Sequence, residues 1–173
     1  NNYGFQNYDG LLNKIGNYKF SKLEDVNQIN YKPLFLSEGI IFFDKKGSII
    51  RYGKNEKIIW KKNYYSKSEK KLKPKLSFLN HNKNIIVTDN IAKYYSINID
   101  TGELNWLRNS SYSFNSEIKK NKNKFFVIDY KNTLRCYYIN NGTECWNLQT
   151  EDTFTISSMK YSLIIINDLV IFS

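Results

Sequence analysis

Along this chain, apolar or β-branched positions come in runs of four, each closed by a polar residue, and the runs return at a nearly fixed distance. Ile40-Ile41-Phe42-Phe43 ends at Asp44, Ile85-Ile86-Val87-Thr88 at Asp89, and Phe125-Phe126-Val127-Ile128 at Asp129. A fourth run, Leu169-Val170-Ile171-Phe172, ends at Ser173, so the closing positions lie 45, 40 and 44 residues apart. After each Asp comes a second run: Ser48 to Tyr52, Lys93 to Ile97 and Thr133 to Tyr137. A polar turn follows, Asp100-Thr101-Gly102 in one unit, Asn140-Asn141-Gly142 in the next, and the shorter Gly53-Lys54-Asn55 in the first. Then comes a Trp in every unit. Asp89 to Trp106 and Asp129 to Trp146 are both 17 residues, and Asp44 to Trp60 is 16, one residue fewer at the turn.

Runs of this length, rich in Ile, Phe, Tyr and Val, suit strands buried on both faces, and no window shows the i, i+3, i+4, i+7 spacing of an amphipathic helix. A further short strand precedes each unit, at Pro33–Leu36, Lys75–Leu79, Ser116–Lys119 and Ser162–Ile166. Four strands recurring about every 45 residues describe the blade of a β-propeller. The fold class expected is therefore all-β, a propeller segment of four-stranded antiparallel blades. The predicted units are 31–66, 67–110 and 111–152, with 153–173 holding the first two strands of a fourth. Residues 1–30 lack the repeat; Asn17–Ser21 reads as the outer strand of a preceding blade and Leu23–Ile29 as a connector.

Turn chemistry supports this division. Asp44-Lys45-Lys46-Gly47 reads as a type I turn, with Asp accepting backbone N–H bonds at its first position and Gly at its last. Asp129-Tyr130-Lys131-Asn132 offers Asn at the same place, and Asn tolerates a left-handed backbone. Asp89-Asn90-Ile91-Ala92 departs from the pattern and is expected to be wider. Gly102 and Gly142 fit the positive-φ position of three-residue hairpins. Recurrence of Asp44, Asp89 and Asp129 in every unit points to turn geometry and away from acid–base chemistry.

Composition changes the picture little. There are 173 residues with 14 Tyr, 11 Phe, eight Gly and two Pro, and the formal charge is +10 from 26 Lys+Arg against 16 Asp+Glu. The cations are mostly Lys in a chain crowded with Asn, Ile, Tyr and Phe, a combination that AT-rich codons produce without selection for a polyanionic partner. Lys67–Lys75 and Lys119–Lys124 are basic stretches, read as solvated connector and hairpin tip, or else as a contact for an acidic partner or anionic lipid. Nucleic acid is not expected, because the aromatics sit inside strands instead of interleaving with a basic groove. No apolar run reaches the roughly 20 residues of a membrane-spanning helix, and no signal peptide is legible in the opening residues.

Residues 95–106, Tyr-Ser-Ile-Asn-Ile-Asp-Thr-Gly-Glu-Leu-Asn-Trp, resemble the PQQ-like (pyrroloquinoline-quinone-type) repeat, which couples an aliphatic strand, a Gly turn and a Trp on the outer strand. Residues 138–146 match more loosely and 52–60 more loosely still, and the resemblance runs from about Tyr31 to Ser173. Within that superfamily the chain is most similar to the propeller lipoprotein family of the outer-membrane β-barrel assembly machinery. That resemblance implies a non-catalytic, monomeric, eight-bladed periplasmic propeller without cofactor. Its implied partner is a protein, the periplasmic repeats of the central barrel-inserting component, with peripheral association at the outer membrane. It also implies that Trp60, Trp106 and Trp146 dock each blade against its neighbour. Quinone-dependent dehydrogenases carry the same repeat, with adjacent cysteines and a carboxylate/Asn calcium site. They are the alternative, since eight blades need about 360 residues.

The two cysteines, Cys136 and Cys145, are not adjacent. A three-residue hairpin at Asn140-Asn141-Gly142 sets them directly opposite one another, where Cα atoms lie about 4.5–5.5 Å apart, within disulfide range. They are either a cross-strand bridge of an oxidising compartment or two small buried apolar residues. A single His, His81, and the lack of a Cys-x-x-Cys argue against a metal site. No nucleophile elbow, P-loop or dinucleotide fingerprint occurs.

Overall fold

The computed structural model describes residues 32–149, 161–167 and 169–172. The expectations for Asn17–Ser21 and Leu23–Ile29 lie outside the described residues. Three four-stranded antiparallel sheets follow one another along the chain, each a meander in sequence order. The first holds β1 (Leu34–Leu36), β2 (Gly39–Phe43), β3 (Ile49–Gly53) and β4 (Ile58–Lys62). A five-residue helix, α1 (Lys67–Lys71), leads to β5 (Leu76–His81), β6 (Asn84–Asp89), β7 (Lys93–Asn98) and β8 (Leu104–Asn109). The third sheet holds β9 (Lys119–Asn121), β10 (Lys124–Ile128), β11 (Thr133–Tyr138) and β12 (Glu144–Gln149). A two-stranded sheet of β13 (Leu163–Ile166) and β14 (Leu169–Phe172) completes the described chain.

The first strands of successive sheets run beside one another, β1 near β5 and β9 near β13, so the sheets fan out from a shared inner edge. This is the blade arrangement of a propeller. It explains the unbroken apolar runs: a blade sandwiched between neighbours is buried on both faces. Ile85 and Val87 of β6 join a core with Ile41, Ile49, Tyr95 and Ile97, between the first and second sheets. Ile86 points the other way, into a core with Tyr94, Phe125, Val127 and Tyr137, between the second and third. A third core packs Phe126, Ile128, Leu134 and Cys136 against Leu163 and Val170 of the last sheet.

Four local expectations need correction. The turn after Asp89 is no wider than the others: Asp89 Oδ1 accepts from the amides of Ile91 and Lys93 at 2.9 and 2.8 Å. Ala92 takes the left-handed conformation (φ 70°) that Gly47 (φ 74°) and Asn132 (φ 57°) take in the equivalent turns. The inner strand of the third blade is Lys119–Asn121, not Ser116–Lys119, because Ser116 Oγ accepts the Ile128 amide at 2.8 Å and replaces a ladder carbonyl. The Lys67–Lys75 connector is not all loop. Its helix is held by a capping box, with Ser66 Oγ accepting from Glu69 N and Glu69 accepting from Ser66 N.

The last correction concerns the cysteines. Each of the three four-stranded blades carries a β-bulge between its third and fourth strands, after Arg51, Ser96 and Cys136. Cys136 therefore faces Trp146, and Tyr137 faces Glu144, leaving Cys145 as the extra residue of the bulge.

Candidate functional site

The repeated residues meet at the seams between blades. Trp60, on the outer strand of the first blade, lies over Gly102 in the hairpin turn of the second; a Cβ added to Gly102 would sit 2.8 Å from its ring. Its indole N–H donates to the carbonyl of Ile99 at 2.8 Å. Trp106 repeats this one blade on, over Gly142 with an added Cβ 2.6 Å from its ring, donating to Ile139 at 3.0 Å. Both glycines have positive φ, 68° and 69°. The left-handed turn suits glycine, and the lack of a side chain lets the ring approach.

Neighbouring side chains close each seam. Arg51 is 8% exposed, and it donates to the Ile99 carbonyl at 2.7 Å and to Asp100 at 2.9 Å. The Tyr64 hydroxyl donates to the Gly102 carbonyl, and Tyr94 donates to Gly142 at 3.1 Å. Arg108 donates to Asn141 at 2.8 Å. Trp146 differs from the other two. It rests on Phe126 (ring centroids 5.8 Å apart) and is 40% exposed, against 8% for Trp60, and Leu148 beside it is 55% exposed. Among the described residues, the turns between third and fourth strands that hold a left-handed Gly, at Gly102 and Gly142, carry Trp60 and Trp106.

The Asp carboxylates are engaged on both oxygens. Asp44 Oδ1 accepts from the Lys46 and Ser48 amides, each at 2.9 Å, while Oδ2 pairs with Lys61 at 3.3 Å. Asp129 Oδ1 accepts from Lys131 and Thr133, and Oδ2 accepts from Arg135 Nε at 2.6 Å. Asp89 Oδ2 accepts from the Tyr65 hydroxyl at 2.6 Å. Burial pushes the Asp89 carboxyl above its ordinary range, against hydrogen bonds from Tyr65, Lys93 and Ile91 that pull it down. At Asp44 burial also pushes upward, but the Ser48 and Lys46 hydrogen bonds and the Lys61 charge prevail and hold it low. Burial raises both Tyr65 and Tyr95 far above the usual phenol value, so both are neutral donors.

Beside Tyr65 lies Lys93, 7% exposed, its ammonium 2.6 Å from Glu69 Oε1 and 4.9 Å from the centre of the Tyr65 ring. Helix α1 thus supplies the counter-ion for a cation buried in the next blade. The capping box at Ser66 and Glu69 was the available signal for this element, and the basic character of the connector masks it.

Cys136 and Cys145 are joined by a disulfide, with Cα atoms 5.4 Å apart. The second blade places a different link at the same two positions: Asn105, its bulge residue, donates to Ser96 Oγ at 3.0 Å. Among the described residues there is no cluster of His, Cys, Asp or Glu able to hold a metal. His81 lies on β5 beside Asn82, its imidazole held below its usual value by burial and the Lys120 charge. No helix among the described residues is long and apolar enough to cross a membrane.

No family model and no curated protein matches the chain. Solved structures do. BamB from Moraxella catarrhalis aligns at 19% identity and a TM-score of 0.59, over 69% of this chain and 35% of its own. A europium-containing methanol dehydrogenase aligns at 14% identity and a TM-score of 0.57, over 69% of this chain and 24% of its own. The fold is that of a β-propeller. The computationally designed Ika4 protein aligns at 9% identity and a TM-score of 0.67, over 94% of this chain and 92% of its own. The chain thus spans about a third of BamB and a quarter of the dehydrogenase, but nearly all of Ika4.

Proposed function

We propose that this PQQ-like propeller is a non-catalytic scaffold that presents its blade-edge loops to a protein partner in outer-membrane β-barrel assembly, at the periplasmic face of that membrane. One observation carries the reading. The recurring polar and aromatic residues are engaged in holding turns and seams: both oxygens of Asp44, Asp89 and Asp129, and the indole N–H groups of Trp60 and Trp106. Chemistry repeated in every blade is architectural, and the exposed loops are left for recognition. The likeness to BamB gives that recognition a direction.

The alternative, a quinone-dependent dehydrogenase, is favoured by the likeness to methanol dehydrogenase. The cysteines do not fit it. Cys136 and Cys145 bridge two strands of one blade nine residues apart, where a quinoprotein site would have adjacent cysteines. Titration of the protein with purified periplasmic repeats of the central barrel-inserting component tests the scaffold reading. Saturable binding is expected, and no binding at high micromolar concentration would overturn it.

A further inference from the structure

The connector between the first two blades gathers charge and an exposed apolar side chain at one end of the sheets. Between residues 63 and 75 the chain carries five lysines and one carboxylate, Glu69. That carboxylate is already engaged by the Ser66 amide and by the ammonium of Lys93, so its charge balances a buried cation. Lys67, Lys71, Lys73 and Lys75 are exposed and Lys70 is half-buried.

The fold brings the turn after β2 to the same place. Asn63 donates to the Lys46 carbonyl at 3.0 Å, and Gly47 lies against the Tyr65 ring and Pro74. Exposed Lys46 therefore borders the connector. At the centre of these lysines Leu72, the C-terminal cap of α1, is 62% exposed. Nothing in the helix is buried, so α1 is not held there by packing of its own face. Its capping box and the Glu69–Lys93 pair hold it instead.

We infer that this end of the first two blades, Lys46 with Lys67–Lys75 around Leu72, is a docking surface for an anionic phospholipid bilayer. Lysines draw a protein to a negative headgroup layer, and a projecting leucine enters the acyl boundary between them. The 62% exposed Leu72 among ammonium groups offers the apolar insertion that a bilayer takes beside its charge. This inference rests on the connector and stands apart from the scaffold reading.

Co-sedimentation of the protein with vesicles tests it, using phosphatidylcholine alone and phosphatidylcholine with phosphatidylglycerol at about 7:3, in about 0.1 M salt. Binding is expected only to the anionic vesicles. Each Lys→Ser change at 67, 70 or 71 should weaken it about fivefold. Leu72→Ser should weaken it several-fold at constant charge, while Lys57→Ser, at the opposite end of the first sheet, should leave it unchanged. Melting curves of the variants, all altered at residues that are not buried, check that the fold is retained. Equal binding to both vesicle types, or no binding, would overturn the inference. So would binding that responds to the lysines but not to Leu72→Ser, the behaviour of a charge contact without insertion.

Discussion

Trp60 and Gly102 share one contact that neither blade could make alone: the indole packs against a turn where a Cβ would meet its ring. Gly102→Ala introduces a Cβ 2.8 Å from the ring at a φ of 68°. The expected cost is roughly 2–4 kcal/mol, from the left-handed strain and the forced separation of the seam. Trp60→Ala should cost roughly 3–5 kcal/mol, and Trp146→Ala less, because Trp146 is 40% exposed where Trp60 is 8%. Urea unfolding of the three variants checks the order.

Ala92 gives a change of the opposite sign. It holds the left-handed position of its turn at φ 70°, where the first blade has Gly47. Ala92→Gly should stabilise the protein by roughly 0.5–1 kcal/mol, because the strain relieved exceeds the chain entropy that glycine adds. Gly47→Ala should destabilise, since its added Cβ would also meet the Tyr65 ring at 2.6 Å. Thermal melts of the pair read both signs.

Much of this architecture is legible in the sequence, because a blade buried on both faces writes its strands as unbroken apolar runs between Gly and Asp turns. The strands beginning at Ile40, Ile85 and Phe125, and the outer strands marked by a Trp, follow directly. What was not legible came from backbone detail without a side-chain signature. The bulge after Cys136 moves Cys145 out of direct opposition, and a bulge needs no particular residue, since Ile59, Asn105 and Cys145 all occupy it. Seam partners were hidden for a related reason. Trp60 and Trp106 donate to main-chain carbonyls of Ile99 and Ile139, and any residue supplies a carbonyl.

The Cys136–Cys145 disulfide and the Ser96–Asn105 hydrogen bond occupy the same positions in neighbouring blades. Removing the disulfide by Cys136→Ala with Cys145→Ala should cost about 2–3 kcal/mol under oxidising conditions. Cys136→Ser with Cys145→Asn transplants the second blade's link and should recover about 1 kcal/mol of that loss. Unfolding midpoints with and without reductant separate the two: only the native chain should respond to reductant.

Glu69 ties α1 to Lys93, and the hydrogen bond from Lys93 together with that from Ser66 holds its carboxyl below the ordinary value. A lowered folded-state pKa stabilises the protein above the unfolded value near 4.5, and that stabilisation is lost as pH falls through the folded pKa. Glu69→Gln should therefore cost about 1 kcal/mol at neutral pH, by removing the carboxylate in contact with the Lys93 ammonium and leaving it only the charge of Asp89. The gap between variant and native protein should close as pH falls through the folded-state pKa of Glu69. Unfolding free energies across that range check the sign.

The scaffold reading separates from the enzyme reading most directly in a dye-reduction assay. The protein is incubated with calcium and pyrroloquinoline quinone, then given primary alcohols and an electron-accepting dye. A non-catalytic propeller predicts a rate equal to that of free quinone and calcium alone. A saturable, alcohol-dependent rate that rises with protein concentration would contradict it.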